Sequence, residues 1–348
     1  MSEKTGERPA FERHVEANNL FKNPTLVVPG VGIEASANQD FAKELEAQGH
    51  NVYSFNHPSY AKTSEEFEVL YEAFETNKTF AREWYAIHRP EVPKERIEAL
   101  LASIPLTLFE EAYSVIRALE DDIQPGKKQP ITAIGHSLAG QTLTFAAFLR
   151  PDLFSQNTQE QSLLIFINPA GVVGGREDIA PSKSLMASGK IAEAKKLEAK
   201  EKLENFGMGM KMFLQLTISE LASLAKSIFN KEERSRMNDV DRGTFQHLVQ
   251  NLPQLRFLRE VHDNASVDIL PFLEVIHGNG VSVVFINDEQ DSLFPAKAVQ
   301  KRLQKYDFIE QHSITSGGHY APVQKPKLIT KTIAHITGKD TTEPVANT

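Results

Sequence analysis

Five short runs rich in valine and isoleucine do most to limit what this chain can fold into. They occupy 25–28, 51–55, 131–134, 163–167 and 281–286, and a weaker run covers 308–314. Unbroken apolar runs bounded by glycine, proline or asparagine suit strands buried on both faces, as in a parallel sheet covered by helices. Helical patterns over 38–48, 104–121, 138–149 and 296–305 fill the gaps. Alternating strand and helix predicts a doubly wound α/β architecture with a mostly parallel sheet. At 348 residues and 41 % hydrophobic, the chain has enough material for one large domain of this kind carrying an insertion.

Two stretches break the rhythm. Residues 63–102 add helical length after the second strand and include Phe67, Leu70, Tyr71, Phe74 and the only tryptophan, Trp84. The larger break has no convincing strand. Within it, 189–205 is rich in alanine, lysine and glutamate, which suits a solvated helix. The following 207–230 is strongly apolar, with Met208, Met210, Met212, Phe213 and Leu214 near its start. The expected organisation is a core from 1–170 and 266–348, with a helical cap inserted over 171–265.

Charge and cysteine content remove several functions. A formal net charge of −8 leaves no basic surplus to draw nucleic acid. Without cysteine there is no disulfide, no thiolate metal site and no cysteine nucleophile. The polar opening residues show no apolar signal segment and nothing reads as a membrane span, so a cytoplasmic protein without stable membrane insertion is expected.

The chemistry enters after the third run. Gly135-His136-Ser137-Leu138-Ala139-Gly140 leads directly into a helical pattern. A turn this tight admits only small side chains two positions either side of the serine. It lifts the hydroxyl clear of the sheet and sets the next backbone N–H at a helix N-terminus, where it can stabilise negative charge. The strict pattern is G-x-S-x-G, and Ala139 takes its last place with Gly140 following. A small-residue turn with an ordinary capping serine is the alternative.

Two partners follow in order. Asp291 sits on the loop after the fifth run, just before Pro295 opens a helix; Asp288 and Glu289 are rivals on the same loop. His319 follows the last run behind Gly317 and Gly318, which let the loop bend toward the other strand ends. In a parallel sheet the loops after successive strands share one edge, so a serine, an acid and a histidine placed this way can converge as a nucleophile, an orienting carboxylate and a base.

With these motifs the chain resembles the α/β-hydrolase superfamily over nearly all of its length outside the cap. The resemblance implies the α/β-hydrolase fold, with Ser137 at the nucleophile elbow, Asp291 as the acid and His319 as the histidine. It also matches 27–32, Val-Val-Pro-Gly-Val-Gly, to the oxyanion loop, with Pro29 where the superfamily commonly has histidine. Proline offers no N–H, so the implied oxyanion donors are the amides of Val31, with Gly32 as the alternative, and of Leu138. A second departure is Asp288, where a glycine is usual three residues before the acid. The superfamily's two opening strands have only 24 residues here in which to form, which predicts a smaller sheet.

A serine at the elbow sets the chain apart from dehalogenases and epoxide hydrolases, which place aspartate there. What remains resembles the capped serine branch, implying hydrolysis of a small-molecule carboxylic ester or thioester with no cofactor and no metal. Acyl transfer or C–C bond hydrolysis on the same residues are alternatives, and a non-catalytic receptor is a more distant one. His136, Met208 and Met212 are candidate substrate contacts, the alternative for the methionines being to pack the cap onto the core. An apolar cap helix can equally bury itself against a second copy of the chain, giving a homodimer.

Overall fold

The computed structural model describes residues 12–13, 23–30, 38–55, 64–124, 129–155, 161–172, 267–291, 294–315 and 318–338. The expected cap over 171–265 falls almost entirely outside them. The core elements in chain order are β1 (Glu12–Arg13), β2 (Pro24–Val28), α1 (Gln39–Ala47), β3 (Asn51–Ser54), α2 (Ser64–His88), α3 (Lys94–Ser103), α4 (Leu106–Ala118), β4 (Thr132–His136), α5 (Ala139–Leu149) and β5 (Leu163–Ile167). After residue 267 come α6 (Leu270–Gly278), β6 (Ser282–Asp288), α7 (Ala296–Leu303), β7 (Ile309–Ile314), α8 (Ala321–Gln324) and α9 (Pro326–Ile336).

One sheet gathers the strands in the order β1-β3-β2-β4-β5-β6-β7. All neighbours from β3 to β7 run parallel, and only the two-residue β1 pairs antiparallel, to β3. Every apolar run of the sequence is a strand. Among the described residues the short strand β1 precedes β2.

The runs are apolar throughout because both faces are covered. Leu26, Val28, Ala133, Leu164, Phe166, Val283 and Phe285 join one buried cluster, which takes in α2 to α7. Their sequence neighbours Val27, Ile134, Ile165, Ile167, Val284 and Ile286 face the other, with Phe41, Ala42 and Leu45 of α1 and Ile329 and Ile333 of α9. The period-2 alternation of strand side chains thus feeds two cores, not a core and a solvent face. α5 is buried along all of its length and packs between β4 and α4.

The added helical stretch 63–102 forms α2 and α3, with Leu70 and Phe74 buried while Phe67 and Tyr71 lie exposed. The Tyr85 hydroxyl donates to the Phe148 carbonyl of α5 at 3.3 Å and accepts from Asn279 Nδ2 at 3.3 Å. Arg89 completes the seam by donating to Asn279 Oδ1 at 2.6 Å. Among the described residues no single helix is long and apolar enough to cross a membrane.

The two points where the chain leaves and re-enters the described core are tied to each other. The Ile269 N–H donates to the Gly171 carbonyl at 3.0 Å, and Gln141 Nε2 donates to the Val267 carbonyl at 3.1 Å. Arg302 of α7 bridges the pair, donating to the Val172 carbonyl and to Asp268 Oδ2, the latter at 2.6 Å. The Asp268 side chain is 4 % exposed. Removing one partner of such a buried pair leaves an uncompensated charge, which costs about 3–5 kcal/mol. Arg302→Met is therefore expected to destabilise the protein by roughly 3 kcal/mol in chemical denaturation. Adding Asp268→Asn should return part of that loss.

Candidate active site

The strand order reverses between β2 and β4: β3 lies beyond β2, whereas β5, β6 and β7 follow outward from β4. Loops leaving the carboxyl ends of the strands at such a switch point open a crevice, and the loop after β4 lies there. Registers of Val28 with Gly135, His136 with Ile167, and Ile167 with Ile286 bring the strand ends level.

Ser137 takes the first position after β4, with φ at +57°. A β-carbon is disfavoured in this left-handed region, so the conformation must be held from outside. Strand β5 and its exit loop hold it. The Ser137 N–H donates to the Ile167 carbonyl at 3.0 Å, while its own carbonyl accepts from Ala170 N at 2.9 Å and Gly140 N at 3.0 Å.

Close approach of α5 explains the small residues around the serine. A β-carbon on Gly135 would lie 2.9 Å from both the Ala139 carbonyl oxygen and Leu143 Cδ1. One on Gly140 would lie 2.8 Å from Pro169 Cβ. Ala139 itself fits, fully buried. The crowded positions are therefore 135 and 140, and Ala139 in place of glycine leaves the turn intact. Leu138, buried, caps the amino end of α5, so its amide belongs to the helix terminus expected to face developing negative charge.

The structure brings the three residues of the expected triad together. His319 Nδ1–H donates to Asp291 Oδ2 at 2.9 Å, and Ser137 Oγ lies 2.9 Å from His319 Nε2. With Nδ1 carrying the proton toward the carboxylate, Nε2 is the acceptor for the serine hydroxyl. The Asp291 side chain is fully buried and that of His319 is 8 % exposed. Asp291 Oδ1 accepts the Phe294 N–H at 3.0 Å, so both carboxylate oxygens are engaged. Rings of Phe294, Tyr320 and His136 stand 5.3, 5.4 and 4.9 Å from the imidazole, centre to centre, and limit its rotation.

The rival acids have other work. Asp288 is buried, and its carboxylate accepts the Gln290 N–H at 2.8 Å and the Gly318 N–H at 3.2 Å. Glu289 is exposed and accepts from the Thr315 hydroxyl at 3.3 Å. His136, expected from sequence as a substrate contact, is only 4 % exposed, and its Nε2–H donates to the His319 carbonyl at 2.7 Å. Its ring also packs near those of His319 and Tyr320, at 4.9 and 6.4 Å centre to centre. Val31, Gly32, Met208 and Met212 lie outside the described residues.

The role of Gly30 and the residue Asn168 escaped the sequence reading. A β-carbon on Gly30 would stand 3.0 Å from Ser137 Cβ and His136 Nδ1, so a side chain there would crowd both. Asn168, directly after β5 with φ at +47°, joins the loops after β6 and β7. Its signal was a polar residue closing an apolar run at the shared strand edge.

No protein-family model matches the sequence, and no curated protein matches it significantly. Solved structures do resemble it. MenH from S. aureus superimposes with a TM-score of 0.54 at 13 % identity, covering 96 % of this chain and 99 % of that one. A hydrolase from Oleispira antarctica gives 0.53 at 14 % identity, covering 96 % of both chains. A structure reported with carboxylesterases of the thaumarchaeon Nitrososphaera gargenis gives 0.52 at 13 % identity, covering 94 % of this chain and 93 % of that one. The chain thus has the α/β-hydrolase fold.

Two outcomes follow from this geometry. Gly135→Ala and Gly140→Ala should each lower stability by about 1–3 kcal/mol, because a methyl group enters a filled contact; thermal unfolding measures it. Burial, followed by the nearby His319, pushes the His136 imidazole from its ordinary 6.5 down to about 3. Unfolded chains take up that proton below 6.5 and the folded protein does not until about 3, so this group lowers stability as pH falls through that interval. His136→Gln should therefore lose less stability than the native protein on acidification, read from melting midpoints against pH.

Proposed function

We propose that the protein is a serine hydrolase that cleaves a carboxylic ester or thioester through an acyl-enzyme. The observation that carries this reading is the continuous hydrogen-bonded chain Ser137–His319–Asp291, with both links at 2.9 Å. Similar folds among esterases and other hydrolases support the class without assigning a substrate.

In this reading His319 Nε2 takes the Ser137 proton as Oγ attacks the carbonyl carbon. Asp291 keeps the proton on Nδ1 and offsets the positive charge that develops on the ring. The amides of Leu138 and of Val31 or Gly32 receive the oxyanion. Collapse of the tetrahedral intermediate expels the alcohol or thiol, which takes its proton from Nε2. A water molecule deprotonated by the same nitrogen then attacks the acyl group, and release of the acid restores Ser137. The expected cap over 171–265, with Met208 and Met212 as candidate substrate contacts, lies almost entirely outside the described residues.

A fluorophosphonate separates this reading from a non-catalytic receptor. One adduct is expected by intact mass on the native protein and none on Ser137→Ala. With a small activated ester, Asp291→Asn should lower kcat by roughly 10⁴-fold, since the amide no longer fixes the imidazole tautomer. A folded native protein that takes no adduct would overturn the assignment.

A further inference from the structure

A catalytic imidazole on a loop is only as well placed as the loop. Here His319 is preceded by Gly318, where φ is +113° and the backbone is least restrained by sterics. Three buried side chains from three other segments converge on its backbone.

The His319 carbonyl oxygen accepts two hydrogen bonds, from His136 Nε2 at 2.7 Å and from Asn168 Nδ2 at 3.2 Å. The same Asn168 amide lies 3.4 Å from the Gly318 carbonyl. On the opposite side, Gly318 N–H donates to Asp288 Oδ2 at 3.2 Å. Asn168 Oδ1 closes the ring by accepting the Asp288 N–H at 2.8 Å. His136, Asn168 and Asp288 are 4 %, 1 % and 0 % exposed, so solvent does not compete for these bonds.

Each member has a placement that suits this use. His136 is the residue just before the nucleophile, so it ties the histidine loop to the segment that holds Ser137. Asn168 follows the strand whose Ile167 carbonyl holds the Ser137 amide. Asp288 lies three residues before Asp291 and gives its own carbonyl to the Asp291 N–H at 3.1 Å. The bracket therefore connects the backbones of all three triad positions, and the His136 ring also packs 4.9 Å from the His319 imidazole, centre to centre.

We propose that His136, Asn168 and Asp288 are positioning residues that set the distance from His319 Nε2 to Ser137 Oγ by gripping the backbone of residues 318 and 319. This rests on reading Ser137, His319 and Asp291 as the triad. A misplacement of about 1 Å at a reacting group can cost about 100-fold in rate, so a loosened loop should show in the chemical step.

Second-order rates of Ser137 phosphonylation by a fluorophosphonate test the proposal, with kcat and KM for a small activated ester beside them. Asn168→Gly keeps the positive φ and removes all three side-chain contacts. His136→Leu removes the donor at similar bulk, whereas His136→Gln keeps an N–H near the position of Nε2. Asn168→Gly and His136→Leu should slow phosphonylation about tenfold or more. The loss should appear in kcat with KM nearly unchanged, and His136→Gln should recover most of it. In a His319→Ala background the same substitutions should change the residual rate less than twofold, because nothing remains to position.

Native rates in folded variants would overturn the bracket while leaving the triad reading in place. So would an equal fold-loss with and without His319. A native protein that never reacts would overturn both readings together. If Asn168→Gly fails to fold, the His136 pair decides alone, since Gln restores the donor that Leu lacks.

Discussion

The contact between α5 and the strands beneath it is the constraint on which the remaining architecture depends. Gly135 and Gly140 let the helix come so close that a methyl group at either position would collide with its neighbours. At that distance the turn between β4 and α5 has one short path, and it runs through a left-handed serine. Backbone strain at Ser137 is thus a product of packing. It persists because β5 supplies a partner for the N–H of that residue, while the exit loop of β5 and the first turn of α5 supply partners for its carbonyl.

From that fixed point the other parts find their places by register. Parallel pairing levels the ends of β2, β4, β5, β6 and β7, so residues far apart in sequence leave the sheet at one edge. Ser137 and His319 are 182 positions apart and 2.9 Å apart in space. Burial then sharpens the chemistry: a fully enclosed Asp291 has its two oxygens committed, one to the imidazole and one to a backbone amide.

Much of this was legible in the residues, for a physical reason. Strands covered on both faces write themselves as unbroken apolar runs, and a helix packed hard on a sheet demands glycine and alanine around its first turn. Ser137, Asp291 and His319 could be picked out because each follows such a run. Other elements leave weaker marks. Glu12–Arg13 is a strand only because β3 offers it an edge. α6 is apolar on nearly every side, so no period distinguishes it from the strand that follows. α9 shows a narrow stripe, Ile329 and Ile333, among polar residues. Asn168 and Asp288 were harder still, since an asparagine and a buried acid at strand ends acquire meaning only when three loops meet. His136 neighbours the serine in sequence, and alternation along β4 sets its ring under the histidine loop.

The stitched ends at Val172 and Asp268 have a bearing on how such a chain can vary. Gly171 and Ile269 are joined by one hydrogen bond, so the core meets whatever lies between them as a closed loop rather than as a span to be bridged. The entropy of closing a loop grows only with the logarithm of its length, about 0.6 kcal/mol for each doubling. Long and short segments between those two anchors therefore differ little in what they ask of the sheet. Substitutions, insertions and exchanges can accumulate there while the geometry around Ser137 stays under separate control.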